Sequence, residues 1–271
     1  MQNLIRVFPR RTKATPDDPN VVVGKGPSLF DHADEVHVSV AFTWDIPAAE
    51  RIAEEWSKVA PTKLGGPAYN APGGDFEPGK YLAKGYVITS RGCPNKCWFC
   101  SVWRREGQKV RELPITEGYN VLDDNLLACS DDHIARVLDM LKSQMEPAEF
   151  TGGLEAARLT DRHVNLLAGI RVKQMFFAYD TPDDLDPLQE AGKKLLNVFT
   201  RASHKLRAYV LIGYPKDTFT EAESRCRQTW DAGFFPMAML WRDHAGNYTQ
   251  EWKQFQRRWA NPRSVAIILR A

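Results

Sequence analysis

Three cysteines, Cys93, Cys97 and Cys100, stand at CxxxCxxC spacing just after an apolar run, Val87-Ile88-Thr89, in a chain of 271 residues with five cysteines. Thiolates this close together, on a loop leaving a buried strand, read as metal ligands. Their number narrows the metal. A cubane iron–sulfur cluster normally takes four cysteines, and a structural zinc takes four Cys or His ligands. Three thiolates on a cubane leave one iron open to a ligand that the protein does not supply. Zinc would need a distant fourth ligand, for which His133, Cys129 and Cys226 are the candidates. A zinc knuckle brings its ligands as two close pairs, and the sequence has no second pair, so a cluster is the expected centre. Cys129 and Cys226 are isolated and read as small buried apolar residues, too few for a second cubane.

The elements that must position these thiols follow from periodicity. From residue 81 onward, apolar strand patterns near 86–90, 119–123, 148–152, 174–179, 207–213 and 236–241 alternate with helical patterns near 131–145, 161–169, 182–196 and 220–232. Such alternation implies a parallel sheet with right-handed crossovers. Helix starts carry their own chemistry: Ser130 before Asp131 and Asp132, Thr181 before Pro182, and a Thr220-x-x-Glu223 capping box. Between Cys100 and Tyr119 no apolar helical period is visible, so the first crossover lacks a full helix. Residues 1–80 form a smaller α/β module. It has strands at Leu4–Phe8, at 35–42 and ending near Leu64, a helix from about Pro47 to Val59, and a Gly/Pro-rich linker at 70–79. The module is expected to cover one flank of the larger sheet, which runs over 81–245. Residues 246–271 form a tail whose Trp252, Phe255 and Trp259 recur at i, i+3 and i+7, a helical stripe for packing or for stacking on nucleic acid.

The stretch Ser90-Arg91-Gly92-Cys93-Pro94-Asn95-Lys96-Cys97-Trp98-Phe99-Cys100 resembles the cluster loop of the radical S-adenosylmethionine (SAM) enzymes. Phe99 matches the aromatic before the last cysteine, and the lead-in is similar to the methylthiotransferase and cobalamin-dependent branches. The resemblance implies an incomplete parallel (β/α)6-type barrel, a partial TIM barrel, after a small N-terminal α/β module. It implies a [4Fe-4S] cluster on Cys93, Cys97 and Cys100, and SAM bound at the open iron. An electron donor such as flavodoxin or ferredoxin would reduce the cluster. SAM cleavage would then yield a 5′-deoxyadenosyl radical that abstracts hydrogen from a substrate left open: small molecule, peptide or nucleic acid. The module resembles a cut-down cobalamin domain without its Asp-x-His-x-x-Gly motif, so no cobalamin is expected.

Ligands of parallel sheets sit at the carboxyl ends of the strands, which selects the residues for SAM. Asp123 and Asp124 stand where the family holds the SAM ammonium, and the alternative for them is a cap or solvated turn. Glu155 and Arg158 either face the methionine end or form an i, i+3 ion pair. Asp180 matches the ribose position, with a supporting role at the Thr181 cap as the alternative. Gly213 and Leu240 match the stretches that hold adenine, and are also ordinary buried-strand residues.

Lys+Arg 36 against Asp+Glu 34 leaves a net charge of +2, so no bulk field selects a nucleic-acid or membrane partner. No leader or membrane span is visible, and the cysteine usage suits a reducing cytoplasm. The local exception in charge is Arg104, Arg105, Lys109 and Arg111 beside the cysteine loop, which either border a substrate, hold SAM's carboxylate, or form a solvated connection. The competing functional class is a non-catalytic, metal-stabilised nucleic-acid-binding module.

Overall fold

The computed structural model describes residues 3–29, 31–200 and 204–269. The chain is α/β, built on two parallel sheets. The first contains β1 (Leu4–Phe8), β2 (Val21–Val23), β3 (Glu35–Ser39) and, after helix α1 (Ile46–Ser57), β4 (Thr62–Gly65), in the order β2-β1-β3-β4. β2 has no counterpart in the sequence reading. It is a three-residue, half-buried edge strand, too short for periodicity to register. The core of this sheet is Val7, Val36, Val38 and Val40 packed on Ala49, Ile52 and Trp56 of α1, all nearly inaccessible to water.

The second sheet starts with β5 (Tyr86–Val87). A short antiparallel ribbon follows, β6 (Ser90–Arg91) with β7 (Arg111–Glu112), and the four-residue helix α2 (Val102–Arg105) lies between its strands. The missing apolar period after Cys100 thus corresponds to a crossover without a full helix. Next come β8 (Asn120–Val121), α3 (Asp131–Ser143), β9 (Ala148–Phe150), α4 (Asp161–Ala168), β10 (Val172–Tyr179), α5 (Leu185–Leu195), β11 (Leu206–Ile212), α6 (Phe219–Asp231) and β12 (Phe235–Leu240). Sheet order follows chain order, β5-β8-β9-β10-β11-β12, and every pairing is parallel. Right-handed crossovers in such an order put the helices on one face. Accordingly Val121, Phe150, Met175 and Phe177 pack with Ile134 and Leu138 of α3, Leu167 of α4 and Leu188 of α5. Both end strands, β5 and β12, have one neighbour, so among the described residues no closed barrel forms.

Helix starts follow side-chain oxygen acceptors. Ser130 accepts from the His133 N–H at 3.2 Å and begins α3. The capping box of α6 is Thr218 with Glu221, which corrects the expected Thr220 and Glu223: Thr218 is the extended residue, and its hydroxyl accepts from the Glu221 N–H at 3.2 Å. A repeated Thr-x-Thr-Glu-x-Glu pattern offers both registers, and the turn Tyr214–Asp217 decides between them. The tail folds as α7 (Gln250–Ala260) and a further helix, α8 (Pro262–Ile268), the latter absent from the sequence reading. Phe255 and Trp259 of α7 are buried against β11, β12 and α6, so the aromatic stripe is packing surface. No helix among the described residues is long and apolar enough to cross a membrane.

The small module is tied to its linker and to the larger unit: the Ala83 N–H donates to the Ala14 carbonyl at 2.8 Å. Arg6 donates to the carbonyls of Gly79 and Lys80 at 3.0 and 2.8 Å. Beyond β3, Thr43 donates to the His244 carbonyl at 2.7 Å, and the Arg242 guanidinium lies 4.8 Å from the Trp44 ring. The carboxyl ends of β3 and β12 thereby meet.

Candidate metal centre

Thr89 and Ser90 lead from β5 into the cysteine loop, and β6–β7 clasp it. Inside the clasp, the Cys93 N–H donates to Gly107 at 3.2 Å, the Cys100 N–H to Cys97 at 3.1 Å, and the Trp103 indole to the Cys97 carbonyl at 3.1 Å. Gly92 turns the chain at φ +92°, and a Cβ there would stand 2.5 Å from the Lys109 carbonyl oxygen, so only glycine fits. The loop therefore has a defined backbone that presents three half-buried, unbridged thiols.

Burial, and then the neighbouring thiols Cys100 and Cys93, push the Cys97 thiol up to about 11; burial also raises Cys100. Thiols this reluctant to ionise are what a cation reverses, because a coordinating thiol is deprotonated outright. Among the described residues, the group whose ligand atoms all lie within 4.8 Å of one another is Asp123, Cys129 and His133, and not the loop trio. His133 and Cys129, the candidate fourth ligands for zinc, belong instead to a hydrogen-bond network with Thr89 and Ser90. Cys226 lies in the apolar core under α7, away from the loop.

That network explains the acids after β8. Asp123, 2% exposed, accepts from the Thr89 N–H and hydroxyl at 2.6 Å each and from the Ser90 hydroxyl at 2.7 Å. The His133 ring reaches the same Thr89 hydroxyl at 3.2 Å. Burial raises the Asp123 carboxyl above its usual range. Asp124 accepts from the Gly92 N–H at 2.9 Å and faces Arg105 at 3.4 Å. Both acids thus hold the base of the cysteine loop. The next residue, Asn125, is the one turned to the thiols. Its amide donates to the Cys93 sulfur at 3.4 Å and to Glu155 at 2.6 Å, and its buried Oδ1 has no partner. Sequence reasoning missed Asn125, although it closes the polar run Asp123-Asp124-Asn125.

Glu155 also pairs with Arg158 at 2.6 Å, so the i, i+3 ion pair, one of the two readings of these residues, is present and reaches Cys93 through Asn125. At the end of β10, Asp184 caps the turn, accepting from the Asp180 and Thr181 N–H groups at 2.9 and 2.7 Å. Asp180 is thereby free of the cap. Burial, then the Asp184 charge, push its carboxyl up to about 7, and only the Leu211 N–H opposes them among hydrogen bonds. Asp180 also acts electrostatically on Cys97, which puts it on the loop's side of the sheet. Gly213 donates to Asp217 at 2.7 Å, and Asp217 is held by the buried Arg225 at 2.9 Å. Leu240 lies across from Gly213, and the two line a cavity of about 360 Å³. Phe99 contacts Trp98 edge-on at 5.4 Å, and Trp98 meets Tyr214 at 5.6 Å, linking the loop to that cavity.

The basic stretch after Cys100 is largely neutralised from within. Glu106, its side chain 1% exposed, binds Arg105 at 2.9 Å, Arg111 at 3.0 Å and the Gly73 N–H at 3.0 Å, with Arg91 at 3.6 Å. Arg104 lies over the Trp103 ring instead.

Asp180 gives a direct check on buried charge. Its carboxyl is raised on folding, so the folded chain holds the extra proton between about pH 4 and 7, and stability falls as pH rises through that window. Asp180→Asn keeps the Leu211 contact and removes the charge. At pH 8 the variant should be more stable by ~2–4 kcal/mol, raising the melting temperature by about 5–10 °C, and the gain should vanish below pH 4. Coincident melting curves at pH 8 would show that the carboxylate is solvated.

No protein-family model matches this chain, and no curated protein matches it.

Proposed function

We propose that the chain is a radical SAM enzyme whose open six-stranded sheet serves as an incomplete (β/α)6 barrel. The observation that carries the reading is the CxxxCxxC loop: a clasped backbone at the carboxyl edge of the first large-sheet strand, presenting three half-buried, unbridged thiols. When bound, a [4Fe-4S] cluster supplies the electron that cleaves SAM to methionine and a 5′-deoxyadenosyl radical. The chain's own residues do the holding and orienting. Cys93, Cys97 and Cys100 hold the cluster, and Asp123, Thr89 and Ser90 brace the loop from below. Asn125 and Glu155, with Arg158, offer acceptors and a cation for the charged methionine end beside Cys93. Asp180 offers a carboxylate for the ribose, and Gly213 and Leu240 an apolar wall for the adenine. Burial of Phe255 and Trp259 takes two of the three tail aromatics out of reach of a nucleic-acid base, which weighs against the nucleic-acid-module alternative.

The test is anaerobic reconstitution with iron and sulfide. The reading expects a brown protein with about four irons per chain, and 5′-deoxyadenosine on addition of SAM and a chemical reductant. One tightly held zinc with no iron uptake overturns it. With the cluster in place, a small flavodoxin- or ferredoxin-type donor should replace the chemical reductant.

A further inference from the structure

β5, β8 and β9 are neighbours in the large sheet, and the loops at their carboxyl ends bring Cys93, Asn125 and Glu155 together. Asn125, 4% exposed, sits between the other two. Its amide nitrogen donates to the Cys93 sulfur at 3.4 Å and to a Glu155 oxygen at 2.6 Å. An ionised carboxylate only accepts, so Glu155 decides which end of the amide faces the sulfur. Turned over, the amide would set its oxygen against two acceptors with no proton between them. Arg158 holds Glu155 in turn at 2.6 Å, and its side chain is 40% exposed. A line of polar contacts therefore runs from the surface to the cysteine loop.

These contacts make the loop thiols unequal. The Cys100 sulfur accepts from the Val102 N–H at 3.5 Å, a bond that the loop makes with its own next turn. Near Cys97 the Trp103 indole donates to the backbone carbonyl instead of the sulfur. Cys93 alone takes its donor from a side chain of another strand end, 32 positions away. A sulfur is more negative as a thiolate, and more negative again when a cluster it holds takes up an electron. A fixed N–H aimed at it favours the reduced state, and burial keeps water from screening the effect.

We propose that Asn125 is a positioning residue that raises the reduction potential of a cluster on this loop, through its N–H on the Cys93 sulfur. The assignment rests on the radical SAM reading for the cluster itself, and adds which side chain sets how readily the electron is accepted. Glu155 acts with the opposite sign, since a carboxylate near the sulfur disfavours an added electron, and Arg158 offsets part of that charge. The Asn125 Oδ1 takes no part in this contact.

The experiment is a potentiometric titration of the reconstituted full chain without SAM, followed by the electron paramagnetic resonance signal of the reduced cluster. Asn125→Ala should keep about four irons. Its reduction equilibrium should become about tenfold less favourable, which for one electron is a potential about 59 mV more negative. Asn125→Gln, which keeps an amide donor, should recover part of the shift. Glu155→Gln should move the other way, because it removes the carboxylate. A merely loosened loop cannot give opposite signs at neighbouring residues; it would lose iron and shift both variants alike. If Asn125→Ala melts early, Asn125→Leu, of similar shape and without a donor, carries the same expectation. A four-iron protein whose potential is unchanged in Asn125→Ala or Asn125→Leu overturns the assignment and leaves the radical SAM reading standing. A chain that takes up no iron removes both.

Discussion

Cys97→Ala should reduce iron after reconstitution to background and abolish 5′-deoxyadenosine formation, and Cys93→Ala and Cys100→Ala should match it. A cubane held by three thiolates has no reserve protein ligand, because Cys129 and Cys226 are committed elsewhere. Cys226 is fully buried among Val210, Ile212 and Phe255. Cys129 lies in the Asp123–His133 network under the loop, where burial pushes its thiol up to about 12. Cys129→Ala and Cys226→Ala should therefore keep both iron and cleavage, with only modest losses of stability. Retained cleavage in Cys97→Ala would falsify the cluster assignment. Loss of iron in Cys129→Ala with the fold intact would transfer the metal to the Asp123–Cys129–His133 group.

The largest effect on stability is expected at Glu106. Its carboxylate is the common acceptor for Arg105, Arg111 and the Gly73 N–H, with Arg91 close by, and its side chain is 1% exposed. Glu106→Ala leaves partly buried cations facing one another, and breaking such a site typically costs about 3–5 kcal/mol. At this chain length that corresponds to a melting temperature lower by about 10 °C. Because Arg91 and Arg111 are the β6–β7 ribbon, hydrogen exchange should rise first over residues 90–112, and iron should be lost faster from the holoprotein. Glu106→Gln, which keeps shape and one acceptor, should fall between. Arg104→Ala should stay near wild type, since Arg104 only covers the Trp103 ring. A Glu106→Ala protein with an unchanged midpoint would show that the arginines are satisfied by water. The same geometry assigns Arg105 to the fold and to Asp124 more than to a substrate.

What could be read in advance was what neighbours along the chain decide. The strands at 86–90, 148–152, 174–179, 207–213 and 236–241, the Ser130 cap and the CxxxCxxC loop are set by apolar period, capping oxygens and spacing within a few residues. Local ambiguity already spoiled one cap: Thr218 and Thr220 offer equivalent oxygens, and only the turn before them selects Thr218. β2 escaped because an edge strand of three residues contains too little period to detect.

The roles of the polar side chains were decided by tertiary pairing instead. Asp123 meets Thr89 across 34 positions, and Thr43 meets His244 across 201. No local pattern records such pairs, yet they determine which acids brace the loop and which residue, Asn125, faces the thiols. Glu106 reads as one charge in a basic run, and only folding brings arginines from both strands of the clasp around it. Spacing and period along the chain thus named three candidate thiols and most of the order of elements, since both depend on bonded neighbours. Burial and long-range hydrogen bonding decided which charges are structural, because the penalty for an unpaired buried charge is set by the whole fold.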